Sequence, residues 1–424
     1  MSKKLWLRLL SVLFIYIFSS SLFAQGIQTA PVSKNPGVDY KILAGIDSVV
    51  NEYLVKDWTK GVVTLIVKDN QVIQNKGYGY ADVETKKAMQ PDAIFRIMSQ
   101  TKAITSVAAM ILYEEGKFKL DQPIADFIPE FRNPKVLTSF NKSDTSFTTV
   151  PAKREITFRD LFTHTSGIGY SGIGTDTVQA IYGKANIPSG LGHMSMTLLQ
   201  GVKLLAKQPL AFNPGDRWMY GLNTDVLGCL VEVISGMNLE DFMRKRIFDL
   251  LGMKDTYFNL PNDKHQRLAT VYTEEPRGTI IKWDHTHFGI DPDYPMIRTD
   301  FFSGGAGLSS TAFDYAVFLQ MLLNGGIYNN NRILKPGTVA LMIQNQIGEL
   351  SLGQNKFGLG FSITMTDAAN SRSKGSFAWG GYFGTNYWAD PQKNMVVLIM
   401  TQHTPNSHGD LFRKIENIIY TAVK

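Results

Sequence analysis

The chain has 424 residues, 44% hydrophobic and 19% charged, which is globular composition with length for one large core or two lobes and excludes a disordered or fibrous chain. Its formal charge of +6 is spread without a concentrated basic stripe, so no nucleic-acid partner is expected. The single cysteine, Cys229, lies in the apolar run 226–234 and reads as a core residue; one cysteine cannot form an intrachain disulfide, and no ligand pattern surrounds it.

The N-terminus carries Lys3, Lys4 and Arg8, then an apolar run over 9–18, then small residues up to Ala24. This is the pattern of an export signal over residues 1–24, and it predicts a secreted or periplasmic protein. The apolar run is shorter than the ~20 residues a membrane span needs, so no stable span is expected once the signal is removed. Residues 25–37, with Pro31, Pro36 and Gly37, read as a flexible leader. Apolar spacing predicts a helix over 40–55. Strands follow over 62–67 and 71–80, joined at Asp69-Asn70, with Gly77 and Gly79 marking bends or bulges.

The stretch Phe95-Arg-Ile-Met-Ser-Gln-Thr-Lys102 then opens an apolar helix over 103–112. Ser99 and Lys102 are three apart and share a helix face. A serine hydroxyl becomes a nucleophile when a base removes its proton, and a partly desolvated lysine beside it can be that base. A helix start adds backbone N–H groups that favour developing negative charge. Ser-x-x-Lys also occurs at Ser139/Lys142 and Ser371/Lys374, but both of these lie in polar stretches, and only Ser99 opens a buried helix.

Beyond Gly116 the spacing predicts a short proline-bounded helix over 120–129 and a polar loop to Lys153. A helix is expected over 156–167, with Thr157 and Asp160 as a capping box. A Gly/Ser-rich stretch runs to Met194, followed by helices over 195–207, 225–235 and 239–250, with the turn 212–220 before the second. Thr311 caps a helix over 311–323; strands are expected over 358–364, 377–382, 384–389 and 395–400, and a terminal helix over 410–423. Strands at both ends with helices between predict an α/β (α+β) domain over 38–424. Its α/β lobe is built from about 38–115 and 300–424, and an inserted helical lobe covers about 116–299. A cleft between lobes is a common place for a site.

These blocks together resemble the serine β-lactamase and penicillin-binding-protein superfamily, on the class C β-lactamase-like branch and nearest the family VIII carboxylesterases. The likeness spans about residues 40–422. It rests on Ser99-Gln-Thr-Lys102, Leu161-Phe-Thr-His-Thr-Ser-Gly167, Asn213-Pro-Gly-Asp-Arg-Trp-Met-Tyr220, Gly304-Gly-Ala-Gly-Leu308 and Trp379-Gly-Gly381 in that order. The resemblance implies a two-lobe fold with an antiparallel sheet flanked by helices, with Ser99 as acylated nucleophile, Lys102 as its partner and Tyr220 as proton relay. It also implies oxyanion donors at the backbone N–H groups of Ser99 and Tyr382, and no metal or organic cofactor.

Two departures bear on substrate. The Tyr-x-Asn of β-lactamases reads Tyr220-Gly221-Leu222, with Asn223 one place late, so leucine stands where an asparagine would bond a β-lactam amide. The Lys-Thr-Gly box reads Trp379-Gly380-Gly381, and Lys374 nearby does not match it. An apolar wall in place of a fixed cation favours a neutral, small-molecule ester over a carboxylate-bearing amide, and Trp-Gly-Gly is common in family VIII esterases. Trp379, Gly380, Gly381, Leu222 and Asn223 are therefore the expected substrate contacts. A D-amino-acid peptidase or weak β-lactamase, and a non-catalytic penicillin-recognising protein, are the alternatives.

His164 reads as a residue of the helix end rather than a triad member. His285 and His287 read as a solvated loop, since no Cys or Glu pattern accompanies them. Glycines 304, 305 and 307 read as admitting backbone to the cleft, and Met194, Met196, Met219 and Met296 as cleft or core filling. Nothing in the sequence reports an oligomeric state.

Overall fold

The computed structural model describes residues 26–29, 34–192, 194–284 and 290–424; the expected export signal and both His285 and His287 lie outside them. The two ends of the chain combine in one antiparallel sheet of eight strands. Their spatial order is Lys356–Phe357, Ser362–Ile363, Phe377–Gly381, Thr385–Asp390, Met395–Met400, Gly61–Lys68, Gln71–Asp82 and Lys87–Ala88. Gly61–Lys68 is buried at every residue and pairs with Met395–Met400 in the register Val63 to Met400 and Lys68 to Met395.

The strand alternation assigns the two faces. Val62 and Ile66 join Ile46, Val50, Ile415 and Ile419, so the helices Gly45–Val55 and Leu411–Ala422 cover one face. Val63, Leu65 and Val67 join the main core on the other face, with the helices Thr101–Glu114 and Ala312–Leu323. The mixed α/β fold with a large antiparallel sheet and flanking helices is thus as the sequence pattern predicts.

Several local expectations need correction. The irregularities of Gln71–Asp82 fall opposite the Ile66–Val67 step and between Tyr80 and Asp82 rather than at a glycine. Gly79 instead takes φ +69°, and a Cβ at Gly77 would lie 2.1 Å from the Met89 carbonyl. The proposed helix over 120–129 is two 3-10 turns, Ile124–Asp126 and Pro129–Phe131, because the prolines interrupt α hydrogen bonding. The polar loop to Lys153 holds a hairpin, Lys135–Phe140 with Phe147–Pro151, whose Val, Thr and Phe residues favour strand despite their polar neighbours. The helix at Thr157 has its capping box but spans only Phe158–Phe162, since His164 turns to φ +57°. The Gly/Ser-rich stretch contains the helix Asp176–Lys184, capped by Thr175.

The expected leader is docked where it is described. Gln28 accepts from Val72 N–H at 3.1 Å and donates to the Asn70 carbonyl at 2.8 Å, and Ile27 N–H reaches the Tyr328 hydroxyl at 2.9 Å. Among the described residues no helix is long and apolar enough to cross a membrane.

His403 follows the strand Met395–Met400, with 4% of its surface exposed and neither ring nitrogen hydrogen-bonded among the described residues. Burial pushes its pKa down to about 4 from 6.5. Between those values the unfolded chain binds a proton that the folded chain refuses, so this contribution to stability is present above pH 6.5 and lost as pH falls towards 4. The melting temperature should therefore drop through that window, and His403→Leu should make the drop shallower. A thermal unfolding series at stepped pH checks this; an equally steep fall in the variant would contradict it.

Candidate active site

The serine segment is held by backbone on its N-terminal side. Phe95–Arg96 pairs with Ser309–Ser310, and Ile97 N–H bonds the Leu308 carbonyl at 3.1 Å. Met98, fully buried, takes φ +48°, a region that costs a non-glycine residue roughly 1–3 kcal/mol and persists only where packing enforces it. The enforcing contacts include the Met98 cluster with Val271, Trp283, Tyr294 and Phe383. The chain then enters a 3-10 turn, Met98–Gln100, before the α-helix Thr101–Glu114. Ser99 thus sits in a tight turn ahead of the helix rather than in its first α turn.

Ser99, Lys102 and Tyr220 are brought together. The Tyr220 hydroxyl donates to Ser99 Oγ at 2.6 Å, and Lys102 Nζ donates to the same oxygen at 3.3 Å. Lys102 is 2% exposed, and its other two bonds go to the Tyr170 hydroxyl at 3.0 Å and the Gly305 carbonyl at 2.8 Å. Three acceptors match the three donors of an ammonium. Nζ also lies 4.7 Å from the centre of the Tyr220 ring, which places positive charge beside the phenol.

Tyr220 is placed by two chain segments that bond backbone to backbone. Met219 N–H bonds the His164 carbonyl at 2.9 Å, Gly215 N–H the Thr165 carbonyl at 2.8 Å, and Leu222 N–H the Gly169 carbonyl at 3.1 Å. A Cβ at Gly221 would lie 1.9 Å from the Ile168 carbonyl, so glycine next to the tyrosine is a packing requirement. The anchor below is Asp160, which accepts from Thr157 N–H at 2.9 Å, from Thr165 Oγ1 at 3.1 Å and from Arg154 at 2.6 Å.

Trp379 stands on the opposite wall. Its ring packs 5.5 Å from Tyr220 and edge-on to Phe357, and its Nε1 lies 3.5 Å from the Tyr220 hydroxyl. The strand Phe377–Gly381 packs against the Ser99 turn. A Cβ at Gly381 would lie 2.4 Å from the Ile97 carbonyl and 2.1 Å from Thr385 Oγ1. Tyr382 is the first residue past the ladder's last pair, Gly381 with Thr385.

Leu222 and Asn223, expected as substrate contacts, are not in this group and are buried. Asn223 is 0% exposed, accepts from Ser166 and donates to His164 Nδ1 at 3.0 Å. Its one-place shift turns it from the cleft into the wall, where it fixes the Thr163–Gly169 backbone. Leu222 is buried in the core beside Val202 and Leu205. His164 is buried too; burial first, then the Lys102 charge, holds its pKa well below the usual imidazole value, so it stays neutral. Its ring packs 5.1 Å from Tyr220 and supports it from behind. Met194 and Met196 pack half-buried on the main core.

Sequence reasoning missed Tyr170 and Asp225. Tyr170 is buried and accepts from Lys102; burial, then Tyr220 and Asp225, pushes its pKa well above the usual phenol value, so it remains a neutral phenol. Its only signal was an aromatic residue just past the Leu161–Gly167 block. Asp225 stands in the first turn of its helix just before the apolar run from Val226, where an acidic residue is ordinary, so only its burial sets it apart.

A family model described as Beta-lactamase matches residues 46–418. The chain belongs to the beta-lactamase family. Protein Rv1367c of Mycobacterium tuberculosis (strain ATCC 25618 / H37Rv) is 33% identical over 87% of this chain and 92% of its own length. Esterase EstB of Burkholderia gladioli is 26% identical over 85% of this chain and 90% of its own. Among solved structures, EstCE1, a hydrolase with promiscuous acyltransferase activity, superposes with TM-score 0.77 at 27% identity, covering 90% of this chain and 99% of that one. The beta-lactamase-family resemblance read from the motif blocks is therefore shown, and this member is a hydrolytic enzyme with esterase and acyltransferase relatives.

The Gly381 contact predicts its own test. Gly381→Ala must displace the Ile97 carbonyl and with it the Ser99 turn, and a shift near 1 Å at reacting groups costs on the order of 100-fold in rate. Turnover of a p-nitrophenyl ester should fall by about that factor while circular dichroism is retained. Gly183→Ala, in the helix Asp176–Lys184 with nothing within 4 Å of the new Cβ, should leave turnover unchanged.

Proposed function

We propose that this member of the family is a serine esterase that works through a Ser99 acyl-enzyme. The observation that carries the reading is the convergence of Tyr220 at 2.6 Å and Lys102 at 3.3 Å on one serine oxygen. With one proton lost from the Tyr220–Lys102 pair to solvent, the Tyr220 oxygen accepts the Ser99 proton as Ser99 Oγ attacks the ester carbonyl carbon. That pair returns the proton to the leaving alkoxide, which departs as alcohol. Water then attacks the acyl-enzyme by the same path in reverse, releasing the acid and free Ser99. The backbone N–H groups of Ser99 and Tyr382 are the proposed oxyanion donors; such a donor is commonly worth about 3–4 kcal/mol of barrier.

The ester preference rests on the wall opposite Ser99. Trp379 packs on Tyr220 where a carboxylate-binding lysine would otherwise stand, and Leu222 and Asn223 point into the protein instead of offering an amide to a β-lactam. Lys374 is exposed, and its backbone N–H is bonded to Asp367. The name of the similar Esterase EstB accords with this choice. We also propose that residues 1–24 direct the chain out of the cytoplasm.

Two outcomes test the reading. Purified protein should hydrolyse a short-chain p-nitrophenyl ester, Ser99→Ala should abolish that turnover, and a chromogenic cephalosporin in the same plate should be cleaved poorly. A reversed preference would favour the β-lactamase or peptidase alternative, and no Ser99-dependent turnover at all would favour a non-catalytic binder. Tyr220→Phe should slow ester turnover by about 100-fold or more, the usual contribution of a general acid–base group. Its melting temperature should stay close to that of the parent, because the ring contacts remain; a near-normal rate would remove Tyr220 from the proton path.

A further inference from the structure

Asp225 lies in the first turn of the helix Asn223–Ser235, 4% exposed, and takes no part in the steps above. Its carboxylate faces the turn formed by Ser303, Gly304 and Gly305. Ser303 Oγ donates to Asp225 Oδ1 at 2.6 Å, and Gly305 N–H donates to the same oxygen at 3.2 Å. Oδ2 has no hydrogen-bond partner among the described residues, and a Cβ at Gly305 would lie 2.4 Å from it. The carboxylate therefore presses against the peptide of Gly305 with no room for a side chain between them.

Gly305 faces the other way as well. Its N–H points at Asp225, and its carbonyl accepts from Lys102 Nζ at 2.8 Å. The neighbouring Gly304 is pinned on both sides: Thr105 Oγ1 donates to its carbonyl at 2.7 Å, and a Cβ on it would lie 2.5 Å from the Thr224 carbonyl. Ser303 Oγ also receives Ala306 N–H at 3.0 Å, so the turn closes on the hydroxyl that binds Asp225. A single glycine residue, through its N–H on one side and its carbonyl on the other, thus sits between a buried carboxylate and a buried ammonium. The titratable groups that face Lys102 are Tyr170, Tyr220 and His164, with Asp225 across the turn; the turn itself contributes only backbone and the Ser303 hydroxyl.

We propose that Asp225 is a positioning residue for the activation of Ser99, fixing through the Ser303–Gly305 turn the carbonyl that aims Lys102, and supplying the buried negative charge that balances it. The proposal rests on the acyl-enzyme reading above and adds a residue to it. A buried charge is stable where a paired charge and hydrogen bonds accompany it, and the turn gives Asp225 and Lys102 both without direct contact.

Asp225→Asn keeps the shape and an oxygen acceptor for Ser303 but removes the charge. In the full-length variant, kcat for a short p-nitrophenyl ester should fall by about tenfold or more, the worth of a hydrogen bond to a charged group, with KM little changed. Labelling of Ser99 by a fluorophosphonate should slow in parallel. A variant with only a lowered melting temperature, and with kcat and labelling rate unmoved, would overturn the proposal. Should Asp225→Asn fail to fold, Ser303→Ala interrupts the same link, and labelling at the parental rate in that variant would overturn the proposal equally. A parent protein that is labelled at Ser99 but turns over no ester would refute the esterase reading alone, and the labelling comparison would still decide the role of Asp225.

Discussion

The constraint on which this site depends is a lysine ammonium taken out of water. A buried charge without compensation costs several kcal/mol. Lys102 meets that demand with three acceptors, each from a different part of the chain: Ser99 from its own turn, Tyr170 from the segment after Gly167, and the Gly305 carbonyl from the loop before Ser309. Satisfying the lysine and assembling the site are therefore the same act. Displacing any of the three segments leaves a buried donor without a partner, so the geometry around Ser99 is over-determined by the charge beside it.

The close approaches between backbones serve the same end. Gly221 against Ile168, Gly381 against Ile97 and Gly304 against Thr224 each bring main chain to a distance that a methyl group would forbid. Side chains can change rotamer, whereas peptide planes cannot, so a site framed by main chain resists distortion. The left-handed Met98 ahead of Ser99 fits this pattern, because its strain is tolerable only inside a frame that does not yield.

Much of this was legible in the sequence. The apolar runs of Gly61–Lys68 and Met395–Met400, the capping box at Thr157 and the spacing Ser99–Lys102 state their structure locally, and the order of the motif blocks gave the family. What stayed hidden was set by contacts distant in sequence. The hairpin Lys135–Phe140 with Phe147–Pro151 looked like loop because its polar side chains face water. Asn223 looked like a displaced substrate contact, but it opens the helix Asn223–Ser235 and is turned into the wall, towards Ser166 and His164. Tyr170 was marked only by its place just past the Leu161–Gly167 block, and its role emerged once the fold brought it against Lys102.

The central strand has a consequence for how the protein comes into being. Gly61–Lys68, buried at every residue, takes one neighbour from the next residues made and the other from Met395–Met400, with Val63 opposite Met400. Until the last few dozen residues of the chain exist, that strand has an unpaired, apolar edge of the kind that recruits other chains. The backbone that braces Ser99 through Ile97 and Gly381 is missing for the same interval. A growing chain thus carries Ser99, Lys102 and Tyr220 long before the frame around Ser99 is complete, and that frame and protection from aggregation arrive together when synthesis reaches the strands Phe377–Gly381 and Met395–Met400.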